Sequence, residues 1–125
     1  MTAPDTRANG SSESYRITVP IHVRGPNTRE HHHVKARRIA KEREQVAWNL
    51  KTFRVVPRLP ARVTLTYMGP RSLDSDNVQG APKGTRDEVA RWLGTDDGVD
   101  APVTWTYVQE RTPAYYAVAI EVRSP

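Results

Sequence analysis

The chain has no cysteine, which excludes disulfide staples, thiolate metal sites and a cysteine nucleophile. Carboxylates, imidazoles, hydroxyls and amines are left to carry any chemistry. It also has no apolar run approaching the roughly 20 residues of a membrane-spanning helix, and residues 1–13 lack the apolar stretch of a secretory signal. A cytoplasmic protein with no membrane partner is therefore expected. Acidic residues are scarce in one part of the chain only: residues 1–71 hold 5 Asp and Glu against 14 Lys and Arg, whereas residues 72–125 hold 9 against 5. The net charge of +5 thus joins a strongly basic segment to an acidic one. Such a division suits nucleic-acid binding combined with metal-assisted phosphate chemistry, because bare carboxylates repel phosphodiesters until a divalent cation intervenes. A merely solvated basic surface is the alternative on charge alone.

With 125 residues and 37% hydrophobic residues, one soluble domain is expected: a flexible tail over 1–13 and a folded domain over 14–123. Tyr15, Ile17, Val19 and Ile21 alternate with polar residues as a first strand, and Pro20 points to a sheet edge or a strand end. The 3.6-residue period predicts a helix from about Val34 to Lys51. Its apolar stripe holds Ala36, Ile39, Ala40, Val46, Ala47 and Leu50, with Lys35, Arg37, Arg38 and Lys41 largely on the other side. Val63, Leu65 and Tyr67 mark a second strand that Gly69 and Pro70 stop. A second helix is expected after Asp76, regular from Pro82, with Val78, Thr85, Val89 and Trp92 or Leu93 inward and Gly94 at its C-terminal cap. Val103–Val108 and Tyr115–Val122 complete the chain as strands, joined by a connection short enough for a hairpin. The fold class is α+β: a single small domain, β-α-β-α-β-β, with a mixed, largely antiparallel sheet and helices on one side.

The chemistry-bearing segment runs Leu73-Asp74-Ser75-Asp76-Asn77, then Lys83, Asp87 and Asp96-Asp97-Gly98. In extended chain Asp74 and Asp76 point the same way and can share one cation. The Asp-Asp-Gly turn can bring a third carboxylate to them if it folds back over the sheet. Structural readings stand beside these: Asp76 as a helix N-cap, Asp96 and Asp97 as turn residues, Lys83 and Asp87 as a helical ion pair. A calcium loop is excluded, since Val78, Gln79 and Thr85 occupy positions where it needs a ligand, a glycine and a closing glutamate.

The ordered set Asp74-x-Asp76-Asn77, Lys83, Asp87, a helix end at Trp92-Leu93-Gly94, then Asp96-Asp97-Gly98 resembles the signature of RusA-type Holliday junction resolvases of phages and prophages. Pro26-Asn27 and His32-His33, leading into the basic helix, are similar to that family's substrate-contacting entry. The likeness covers roughly Tyr15 to Val122. It implies a homodimeric, Mg²⁺-dependent endodeoxyribonuclease, with Mn²⁺ as a substitute, that resolves four-way DNA junctions by paired cuts in a bacterial or phage-infected host cytosol. It also implies catalytic, metal-holding roles for Asp74, Asp76 and Asp97, a catalytic role for Lys83, and supporting roles for Asn77, Asp87 and Asp96. DNA contacts would fall on Asn27, His32, His33, Lys35, Arg37, Arg38 and Lys41. Gly80, Ala81 and Pro82 stand as an insertion before Lys83 relative to the family's usual spacing.

Two further expectations concern residues outside that set. His31, His32 and His33 diverge too much to bind one ion together and read as a solvated or DNA-facing cluster. Trp48, Trp92 and Trp105 read as core or dimer-interface residues, and Trp105, Tyr107, Tyr115 and Tyr116 as spare apolar surface for a two-fold interface. Two other functions share these features: a metal-dependent nickase without junction preference, and a catalytically weak or dead DNA-binding module of the same fold.

Overall fold

Ala61–Gly69 is buried on both of its faces along most of its length, and a strand of that kind belongs inside a sheet rather than at its edge. The computed structural model describes residues 13–22, 32–70, 83–96, 98 and 100–124. Among these, the order is β1 (Glu13–Val19), α1 (His32–Leu50), β2 (Ala61–Gly69), α2 (Lys83–Trp92), β3 (Val103–Arg111) and β4 (Ala117–Ser124). Four strands and two helices among the described residues agree with the α+β class expected from the periodicities. The strands form one four-stranded sheet in the order β1-β4-β2-β3. β1 pairs antiparallel with β4, β4 antiparallel with β2, and β2 parallel with β3. The domain is therefore α+β with a mixed sheet, two of its three pairings antiparallel.

The hairpin expected between the last two strands does not form, because β2 lies between β3 and β4. α2 supplies the crossover that a parallel β2–β3 pair requires. The connection from β3 to β4 then steps across the end of β2, a gap of roughly 10 Å at the usual strand spacing. It is tied there by Thr112 N–H donating to the Gly69 carbonyl at 2.9 Å. The burial patterns explain the choice. β3 alternates half-buried and exposed residues over Val103–Tyr107 and is exposed beyond them, as suits an edge. β2 carries Val63, Leu65 and Tyr67 on one face and Thr66 and Met68 on the other, all buried.

Both helices pack on the face that carries Val63, Leu65 and Tyr67. Val46 and Leu50 of α1, Val89 of α2 and Leu93 just beyond it join Val19, Val118, Ile120 and Val122 in one core. Each such side chain taken out of water contributes about 1.5–3 kcal/mol. On the opposite face Met68, Ala117 and Ala119 form a second, smaller cluster. Gly94 ends α2 with φ +81°. Its N–H donates to the Arg91 carbonyl at 3.0 Å, and Thr95 N–H to the Ala90 carbonyl at 2.9 Å, the paired bonds of a Schellman cap. No helix among the described residues is long and apolar enough to cross a membrane.

Candidate nucleic-acid interface and acidic segment

The buried row of α1 is Glu42, Val46 and Leu50, and it fixes which cations face solvent. Arg37 and Lys41 are exposed, as are His32 and His33 in the first turn, where their ring centroids lie 4.0 Å apart. Lys35 and Arg38 are half-buried, and Arg38 Nη1 donates to the Glu42 carboxylate at 3.2 Å. The four cations expected on one face therefore divide into two outward and two flanking the core. Ala36 and Ala40, expected to face the core, are exposed. The reason is that Glu42, charged yet buried, occupies the inner row and draws Arg38 toward it. Between the end of β1 and this helix lies an open hollow of about 410 Å³, lined by Ile21, His22, Arg38, Lys41, Glu42 and Gln45.

Trp48 is not a core residue: it is 64% exposed, with Lys51 Nζ 5.0 Å from its ring centroid. At 100° per residue, position 48 lies about 200° from both 46 and 50, on the far side of the helix. That signal was present in the spacing. Trp92 and Trp105 do pack against the core, as do Tyr107 and Tyr116. Tyr107 also accepts a hydrogen bond from Arg86 Nη1 at 2.8 Å. Of the four aromatics expected as spare surface, Tyr115 alone is exposed, at 51%.

Lys83 opens α2, and its Nζ lies 3.3 Å from Asp87 Oδ1, one turn along the outer face. Thr85, Glu88 and Val89 face inward, and Glu88 anchors the two helices to each other by accepting from Arg43 Nε at 3.1 Å. Asp96 follows the other end of the helix, where its Oδ1 accepts from Gly98 N–H at 2.7 Å. Ten helical residues correspond to about 15 Å, so Lys83 and Asp96 stand at opposite ends of α2. From Gly98 the chain runs on into β3: Ala101 N–H bonds the Gly98 carbonyl, and Ala61 N–H bonds the Pro102 carbonyl. The Asp96 turn thus leads to the end of the sheet where β2 and β3 begin, away from Lys83. Asn27, Asp74, Asp76, Asn77 and Asp97 lie outside the described residues, as does His31. Among the described residues no group of three or more His, Asp or Glu could hold a metal ion.

At the other end of the sheet, the His22 and Tyr116 rings stack with centroids 3.6 Å apart. Burial, and secondarily the neighbouring Tyr116, raises the pKa of the Tyr67 phenol above its ordinary value. Gly69 makes this cluster possible. A Cβ there would lie 3.0 Å from both Tyr67 Oη and Tyr116 Cδ1. Because Tyr67 is buried and Tyr116 is held in its stack, neither can yield freely. Gly69→Ala is expected to cost about 1–3 kcal/mol in urea denaturation; an unchanged midpoint would show that the rings have room to move.

No family model matches this chain, and no curated protein matches it.

Proposed function

We propose that the chain is a metal-dependent endodeoxyribonuclease that acts on branched DNA as a homodimer, resolving four-way junctions by paired phosphodiester hydrolysis. The observation that carries this reading is the ordered carboxylate set bracketing α2: Asp74, Asp76 and Asn77 before it, Lys83 and Asp87 on it, Asp96 and Asp97 after it. The oxygen-only donors Asp74, Asp76 and Asp97 suit Mg²⁺ or Mn²⁺ rather than a softer ion. A bound ion of that kind supplies an activated water and neutralises charge on the phosphoryl oxygens. Lys83 holds the scissile phosphate as a compact cation when it leaves Asp87. Two cuts on symmetry-related strands call for two such sites, which a two-fold homodimer supplies.

Arg37 and Lys41 on the outer face of α1, with His32 and His33 at its start, provide the sequence-independent attraction to the DNA backbone. Neutralising Arg37 and Lys41 together is expected to weaken junction binding and to lower the log–log salt slope by about one unit for each lost phosphate contact. Fluorescence anisotropy across a salt series measures this, and an unchanged slope would place the DNA on another surface. The proposal as a whole is tested by incubating the protein with a four-way junction and with a linear duplex, each with and without Mg²⁺. Symmetric cutting of the junction alone, dependent on Mg²⁺, is the expected result. Equal cutting of both substrates would indicate a nickase. Binding without cutting would indicate a DNA-binding module, the reading favoured by the Lys83–Asp87 ion pair.

A further inference from the structure

The face of the sheet opposite α1 and α2 carries two arginines that neither the acidic segment nor α1 accounts for. Arg62 on β2 and Arg123 on β4 are direct cross-strand partners, and both are exposed. Their neighbours Val63 and Val122 point into the core on the other face. Residues so paired hold their Cβ atoms about 4.5–5.5 Å apart, where like charges destabilise the sheet. The row continues to Thr104, the partner of Arg62 on β3, and to Ser14, the partner of Arg123 on β1. Two guanidinium groups thus lie between two hydroxyl-bearing side chains, at the same level of all four strands.

This row borders a hollow of about 510 Å³, lined by Pro60, Ala61, Arg62, Thr104, Arg123 and Ser124. No acidic residue among the described residues lines it. The counter-charge nearest this row is Glu121, whose Oε2 is 3.6 Å from Arg123 Nη2, with the Arg123 side chain 67% exposed. Glu121 is also the cross-strand partner of the exposed Arg16. Arg62 makes no ion pair among the described residues. Among the described residues the face therefore holds three arginines against two carboxylates, Glu121 and, beside Met68 at the other end of the paired strands, Glu110, with Arg62 and Arg123 at directly paired positions.

We propose that Arg62 and Arg123 form a clamp for the phosphodiester backbone of nucleic acid, with the Thr104 hydroxyl as an additional donor. Guanidinium groups are always charged, and their planar forks match phosphate oxygens two at a time. A phosphate between the two relieves the repulsion that the strand register imposes on them. The hollow is open to solvent at both arginines, so a continuous backbone can cross it. It lies at the sheet end where the Asp96 turn enters β3, on the opposite face from the helices. The clamp rests on the reading of the chain as a DNA-binding enzyme and names a surface on which an arm of the substrate lies.

The test uses the full chain with Arg62→Gln, Arg123→Gln and the double variant, binding a linear duplex without Mg²⁺ across a salt series. The double variant is expected to lower the log–log salt slope by roughly 1.8, about 0.9 for each lost contact. Its melting temperature should be unchanged or higher, since a like-charge pair has been removed. A slope equal to that of the wild type, or a lowered melting temperature indicating a structural role, would overturn the clamp. A second arm follows the arginine Nε–Hε resonances during titration with the duplex or with inorganic phosphate. Shifts of Arg62 and Arg123 with duplex at far lower concentration than with phosphate support it; equal responses would reduce the site to a simple anion site and overturn it. Junction cleavage by the wild type is scored separately: a lowered slope with no cleavage keeps the clamp and removes the nuclease, whereas cleavage with an unchanged slope does the reverse.

Discussion

Asp74→Asn, Asp76→Asn and Asp97→Asn are each expected to abolish Mg²⁺-dependent junction cleavage, while junction affinity stays the same or rises. The amide keeps the size of the carboxylate but removes the negative charge that holds a hard cation. A lost metal contact of several kcal/mol in the transition state corresponds to a fall in rate of roughly a thousandfold or more. Binding moves the other way, because each lost charge removes a repulsion with the phosphates. Asp96 provides the contrast. Its Oδ1 accepts from Gly98 N–H at 2.7 Å, and the carbonyl oxygen of an asparagine can accept the same bond. Asp96→Asn should therefore retain the turn and much of the activity, whereas Asp96→Ala should lose both in part. Single-turnover cleavage beside Mg²⁺-free binding measures the two effects independently. Full activity in any one of the three asparagine variants would remove that residue from the catalytic set, and equal loss in Asp96→Asn would assign the metal to both members of the pair.

The largest loss of stability is expected from Leu65→Ala. Leu65 is 1% exposed at the middle of β2, with Ile120 of β4 and Tyr107 of β3 as its cross-strand partners. The cluster they share also contains Val46 and Leu50 of α1 and Val89 of α2. A cavity at that point opens beneath both helices and between three strands, none of which can move in without breaking its own pairing. Substitutions of this kind cost about 2–5 kcal/mol, a large part of the total for a domain that is about 5–15 kcal/mol stable. The denaturation midpoint should fall steeply with the m-value unchanged. A loss below about 1 kcal/mol would mean that the helices close over the gap and that the core is less rigid than its burial indicates. Trp48→Ala is the natural control, since an exposed side chain removed from the surface changes stability by about 0.5 kcal/mol or less.

The amino-acid sequence by itself determined the elements whose causes are local. Alternation at Tyr15, Ile17 and Val19, at Val63, Leu65 and Tyr67, and at Val118, Ile120 and Val122 marked three strands and the face that each turns to the core. The inward set Thr85, Val89 and Trp92 or Leu93 and the cap at Gly94 were equally legible, because a 3.6-residue period and a left-handed glycine are properties of a few consecutive residues. The motif formed by Asp74, Asp76, Lys83, Asp87, Asp96 and Asp97 is a reading of the sequence, since Asp74, Asp76 and Asp97 lie outside the described residues. Tertiary structure alone decided which strands are neighbours. A hairpin between β3 and β4 satisfies the local signals, but burying both faces of β2 requires partners on both of its edges, and β3 and β4 are the strands that take them. The outward place of Trp48 was already in the helical spacing, but the same non-local accounting buried Glu42 in the inner row of α1 and drew Arg38 against it. It also placed Arg62 beside Arg123, two residues 61 positions apart in the chain. Register between distant strands follows from the total apolar area that the whole domain removes from water, a quantity that no short window of sequence contains.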